Sequence, residues 1–142
     1  MPLMKKMTVT ETATIAPPQK KAPASEEGKA LALAIAKVAA DTRCTNVIVL
    51  DVSHVSPVTD FFVIATGTSA RQMRSVCDDC IDEARTVGYK PMSATGYDGS
   101  NWICVDLIDV VLHVFTDEAR AFYDLENLWS DAQRVVGQTP AI

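Results

Sequence analysis

The sequence predicts an α/β (α+β) domain built on one mixed β-sheet of about five strands, flanked by helices. Three observations carry this. Phe61 to Ala65 is a continuous apolar run rich in aromatic and β-branched residues, the pattern of a strand covered on both faces. Thr66-Gly67-Thr68-Ser69 ends that run, and a helical pattern follows at once. Gly67 permits a positive φ there, and Ser69 or Thr68 can cap the helix. Finally, Asn101–Leu107 and Val110–Phe115 are two strand patterns joined by almost nothing, which makes an antiparallel hairpin.

The other elements follow in order. Residues 1–24 are dominated by Thr, Pro, Ala and Lys and read as a disordered tail, dispensable for folding. Ser25 caps a first helix whose opening turn holds Glu26 and Glu27, in keeping with the helix dipole. Leu31, Ala34, Ile35 and Val38 fall on one face, and the helix should end near Asp41-Thr42. Val47 to Val52 is a strand and Ser53 to Val58 a loop. Thr59 to Thr66 is the next strand.

A helix from about Ala70 to Val87 places Met73, Val76, Cys77, Cys80, Ala84 and Val87 on one stripe, with Gly88 beyond its end. Tyr89 to Ala94 is a short strand, expected to lie parallel to the preceding one because a helix crosses between them. Gly96 to Ser100 is a loop. After the hairpin, Asp117 caps a short helix and Asp124 begins another that ends near Trp129. The domain is therefore bounded at residues 25–132, in the order α-β-β-α-β-β-β-α. Residues 133–142 read as a frayed C-terminus.

The chain has 142 residues, 48% of them hydrophobic, enough for one domain with a real core. No apolar run is long enough to span a bilayer. Lys5 and Lys6 are not followed by the apolar stretch of a secretory signal, so a cytosolic protein is expected. The net charge is −5, and from residue 29 onward it is −6. Phosphate affinity comes from Lys and Arg, so direct DNA binding is not expected. The balance suits a basic protein partner, and equally it suits ordinary solubility.

The chemistry-bearing patterns are few. Cys77-Asp-Asp-Cys80 is a C-x-x-C, but it lies mid-helix on the apolar stripe, away from the helix N-terminus that would activate a thiol. Zinc would need two further ligands, and neither a second C-x-x-C nor a His pair exists. Both cysteines are expected to be buried, reduced and metal-free. Gly67-Thr68-Ser69 could hold a triphosphate in a nucleotidyltransferase, the alternative reading. That chemistry needs paired carboxylates on the following strand to hold magnesium, and Tyr89–Ala94 contains neither Asp nor Glu. Neither a catalytic residue nor a cofactor is assigned.

The hairpin is more informative. With a two-residue loop at Ile108-Asp109, Trp102 faces Phe115, Cys104 faces His113 and Asp106 faces Val111. One face then carries Trp102, Cys104, Asp106, Val111, His113 and Phe115. The other, Ile103, Val105, Leu107, Val110, Leu112 and Val114, is wholly apolar and should be core. The first face mixes an indole, an imidazole and a carboxylate with apolar groups, as protein-binding patches do. The alternative is that helices cover this face too, with Trp102 as a core residue.

Several segments resemble the ribosomal silencing factor (RsfS, Iojap) family. They are Leu50-Asp51-Val52, the run from Thr59-Asp60-Phe61 through Gly67-Thr68-Ser69-Ala70-Arg71-Gln72, Asp109-Val110-Val111-Leu112-His113-Val114-Phe115 and Phe122-Tyr123-Asp124-Leu125-Glu126-Asn127-Leu128-Trp129. The match runs in family order over about Ala30 to Val136. The resemblance implies a nucleotidyltransferase-like fold without catalysis. It implies binding to the large ribosomal subunit through its basic protein L fourteen, which blocks subunit joining and represses translation when nutrients are short. It also implies a homodimer when free. The partner-binding candidates are Trp102, Asp106 and His113, with Tyr97, Asp60, Thr68, Ser69 and Arg71. The family usually has Gly where this chain has Ile108. Gly there suits a type II′ turn with φ > 0, so a reshaped turn and a shifted hairpin register are open outcomes.

Overall fold

The computed structural model describes residues 25–136. The elements are α1 (Glu26–Asp41), β1 (Thr45–Asp51), β2 (Phe61–Thr66), α2 (Ala70–Thr86), β3 (Ser93–Thr95), β4 (Trp102–Asp106), β5 (Val110–Phe115), α3 (Asp117–Tyr123), α4 (Leu125–Leu128) and β6 (Gln133–Val136). They form one six-stranded mixed sheet in the order β3-β4-β5-β2-β1-β6. The readings of residues 1–24 and of 137–142 lie outside the described residues.

The helices begin where the side chains can serve orphan backbone N–H groups. Ser25 Oγ accepts from Gly28 N at 2.9 Å, and Ser69 Oγ accepts from Gln72 N at 3.1 Å. At α3 the cap is Thr116, whose Oγ1 accepts from Ala119 N, one residue before the Asp117 expected from sequence.

Two sequence expectations are corrected. The segment after α2 is not a parallel neighbour of β2. It is the three-residue edge strand β3, antiparallel to β4, with Ser93 opposite Asp106. The parallel neighbour of β2 is β5, from Phe61 beside Val110 to Thr66 beside Phe115. The physical reason is burial. The interior place needs a strand apolar on both faces, and β5 is almost wholly buried while β3 is wholly exposed. Pro91, which lacks an N–H, also suits an edge. The second correction is Gln133–Val136, which does not fray but pairs antiparallel with β1 and closes the other edge.

The sheet has a thick side and a thin side. On the thick side α1 and α2 cover Phe61, Val63, Ala65, Ile103, Val105, Leu107, Val110, Leu112 and Val114. Cys77 and Cys80 belong to this layer and are fully buried. On the thin side Ile48, Leu50, Phe62, Ile64 and Phe115 are covered by short α3 and α4, with Trp102, Leu125 and Trp129 packed partly buried around them.

The hairpin keeps the expected register, Trp102 opposite Phe115 and Cys104 opposite His113. Ile108 takes φ 77, a costly conformation for a β-branched residue. Asp106 Oδ1 accepts from Ile108 N at 2.8 Å and ties the turn down. The turn therefore absorbs the missing glycine as local strain, without a register shift.

Candidate functional site: an aromatic face on the thin side of the sheet

The strand β4 enters with Trp102 on the thin side, and β5 leaves with Phe115 beside it. The two rings stack with centroids 4.9 Å apart. Trp102 Nε1–H donates to Nδ1 of His113 at 3.2 Å. His113 is 6% exposed and meets the Phe62 ring edge-on at 4.9 Å. Its Nε2 has no hydrogen-bond partner among the described residues. Burial disfavours the imidazolium and lowers the His113 pKa to about 4. His113 is thus a neutral acceptor beneath Trp102, and it does not reach the surface.

Helix α3 lays Tyr123 against the outer side of Trp102, ring centroids 4.6 Å apart. Phe122 meets Tyr123 edge to face at 5.0 Å and is 79% exposed. Leu128, on α4, is 72% exposed. A large exposed apolar group beside an aromatic stack, as Phe122 is, with Leu128 exposed on the next helix, is what an interaction surface looks like. The segment of sequence that carries them is acidic. Residues 91–132 contain eight Asp or Glu and one basic residue, Arg120.

That arginine is committed internally. Its Nε and Nη2 donate to Glu126 Oε1 and Oε2 at 3.1 and 2.9 Å, and Nη1 donates to Asn46 O and Thr66 Oγ1 at 2.7 and 2.8 Å.

The eight residues chosen from sequence do not form one cluster. Trp102 and His113 are brought together. Asp106 shares their face but lies toward the far end of the hairpin, with its carboxylate engaged by the turn. Tyr97 packs on the thick side and donates to Asp78 Oδ1 at 2.9 Å, so burial and that carboxylate raise its pKa. Asp60 precedes β2, and its backbone N–H donates to Asp109 O. Thr68, Ser69 and Arg71 lie at the opposite end of β2, beyond Thr66, where the row Trp102–Phe115–Thr66 also ends.

The turn at Gly67 is filled by the protein itself. A Cβ at Gly67 would collide with Met73 Cγ and come within 2.7 Å of Gln72 Oε1. Gln72 Oε1 accepts from Thr68 N, and its Nε2 donates to Thr42 O, each at 2.9 Å. The glycine makes room for Met73 and Gln72, which bind α2 to the end of α1. Among the described residues no group of three or more His, Cys, Asp or Glu is placed to hold a metal ion. Burial pushes the Cys77 thiol up to about 12 and the Cys80 thiol higher still, so neither is a nucleophile near neutral pH.

Sequence reasoning missed Phe122, Tyr123 and Leu128. The available signal was the Phe122-Tyr123 pair in a short helix. Adjacent helical residues point about 100° apart, so a helix with one narrow buried face leaves part of such a pair outside.

A mixed sheet with two helices on one side and two short ones on the other defines a small α+β domain of one known class. A crystal structure of a Chromobacterium violaceum protein superposes with a TM-score of 0.67 at 28% identity, covering 82% of this chain and 89% of that one. One from Bacillus halodurans gives 0.64 at 31% identity, covering 79% and 99%. The family model described as "Ribosomal silencing factor during starvation" matches residues 24–141. The ribosomal silencing factor RsfS of Bacillus subtilis is 38% identical over 102 residues, covering 69% of this chain and 86% of the relative. A chloroplastic Iojap protein of Zea mays is 33% identical over 121 residues, covering 82% of this chain and 51% of its own. The chain belongs to the ribosomal silencing factor family.

Proposed function

We propose that this protein is a non-enzymatic anti-association factor that occupies the large ribosomal subunit. In this reading it docks through the face of Trp102, Tyr123, Phe122 and Leu128 onto the basic ribosomal protein L fourteen. Its bulk then keeps the small subunit away and lowers translation when nutrients are short. The observation that carries the reading is an exposed aromatic surface set in a stretch with eight acidic residues and one internally paired arginine. Aromatic anchors supply desolvated area, and carboxylates around them select and steer a Lys- or Arg-rich partner. The Gly67 turn, filled by Met73 and Gln72, speaks against a nucleotide-using enzyme.

The test is cosedimentation with isolated large subunits, followed by a subunit-joining assay. Phe122→Ala is the informative variant, because a side chain 79% exposed adds little to stability. It should weaken binding by roughly tenfold or more, about 1.4 kcal/mol. Wild-type binding by Phe122→Ala, or joining unaffected by saturating protein, would defeat the reading.

A further inference from the structure

We propose that Arg120 is the positioning residue of the aromatic face, setting the elbow between α3 and α4 that presents Phe122, Tyr123 and Leu128; this rests on the docking surface proposed above. The elbow is intrinsically poor. Asp124 joins the two helices in the left-handed region, φ 48 and ψ 51, and its side chain caps nothing. α4 has four residues, none fully buried, and α3 buries only Ala119. Leu125 and Trp129 pack partly buried on the thin side and locate α4 over the sheet. Tyr123 lies against Trp102 on the α3 side, and the angle between the two helices calls for a further side-chain restraint that spans the elbow.

Arg120 supplies that restraint through four hydrogen bonds from one guanidinium. Two go as a fork to the Glu126 carboxylate across the elbow. The other two go to the framework: Thr66 at the end of β2, and the carbonyl of Asn46. Asn46 sits in an irregularity of β1 with φ 49. The side chain is 11% exposed, so little water competes for these bonds. A planar fork is direction-specific in a way that an ammonium is not. Phe122 and Tyr123 lie two and three residues after Arg120, and Leu128 two after Glu126. The fork thus brackets the exposed groups without touching the partner.

The experiment is a double-mutant cycle on binding to large ribosomal subunits, measured well below the melting temperature. Arg120→Lys keeps the charge and loses the fork. It should weaken binding by roughly tenfold and change the near-ultraviolet circular dichroism of the Trp102–Tyr123 stack. In a Phe122→Ala background the same change should cost about threefold less or better, because the group being positioned is gone. A loss of stability alone would leave the two effects independent. Should Arg120→Lys fail to fold, Glu126→Gln severs the charged fork and leaves the bonds to Asn46 and Thr66. The same coupling is expected from it. Strictly additive effects, or wild-type affinity of the fork variants while Phe122→Ala binds weakly, would overturn the positioning role alone. Wild-type affinity of Phe122→Ala itself would overturn the docking surface and this role together.

Discussion

The indole of Trp102 donates to Nδ1 of His113 across the hairpin at 3.2 Å, which fixes the neutral imidazole as the acceptor. The bond ties an outward-facing ring to a buried one. It changes what each residue is for: Trp102 is half surface and half core, and His113 holds it from below.

The first consequence concerns pH. His113 has its folded pKa lowered from 6.5 to about 4 by burial. The unfolded chain therefore takes up this proton first as pH falls. The stability contributed by the neutral form is complete above about pH 6.5 and is lost between there and pH 4. The slope is at most about 1.4 kcal/mol per pH unit. Unfolding free energies of wild type and His113→Asn, compared from pH 7 to 4, should converge as pH falls. A constant difference would show that His113 keeps an ordinary pKa.

Trp102→Ala should destabilise as well as weaken docking. The indole stacks on Phe115 and Tyr123 and partners His113, so truncation opens a cavity and leaves Nδ1 without its donor. A cost of about 3 kcal/mol is expected in urea unfolding. A variant of unchanged stability would mean that these contacts do not persist in solution.

Ile108→Gly should stabilise. Ile108 holds φ 77 and is 52% exposed, so it stores strain and buries little. Relief of about 1–3 kcal/mol, less the entropy that glycine adds to the unfolded chain, leaves a gain of about 1 kcal/mol. The melting temperature should rise by about 4 °C. A fall would show that the Ile108 side chain packs usefully.

Gly67→Ala should destabilise by about 1–3 kcal/mol, because its Cβ would displace Met73 and Gln72. Calorimetric titration with nucleoside triphosphate and magnesium should show no binding to the wild type. Micromolar affinity would restore the nucleotide reading of this turn.

Docking should weaken as salt rises. Asp117, Glu118 and Asp131, in the α3–α4 segment that presents the face and just after it, are exposed, and the partner is taken to be basic. Screening shortens to ~3 Å at 1 M salt, so the association rate should fall steeply while dissociation changes less. A salt-independent rate would point to an uncharged contact.

Local pattern determined much of this protein. The run from Phe61 to Ala65, the Ser69 cap and the nearly continuous apolar run Val110–Phe115 each specify an element whatever surrounds them. Alternation also fixed which side chains of the hairpin share a face, and the strained Ile108 did not disturb it. Strand order was another matter. Within Tyr89–Thr95 only Pro91 points locally to an edge; competition for the doubly covered interior position decides, and β5 is the more apolar candidate. Gln133–Val136 is likewise a strand only because β1 offers it a free edge. The site shows the same division. Sequence could bring Trp102 and His113 together, but their separate roles depend on α3 and α4 folding back over the thin side. That placement is held by Ala119, Leu125 and Trp129 packing on the sheet and by Arg120 reaching from α3 to Glu126, Thr66 and Asn46, up to 74 residues away in the chain. Contacts of that span are set by packing, which no local pattern encodes.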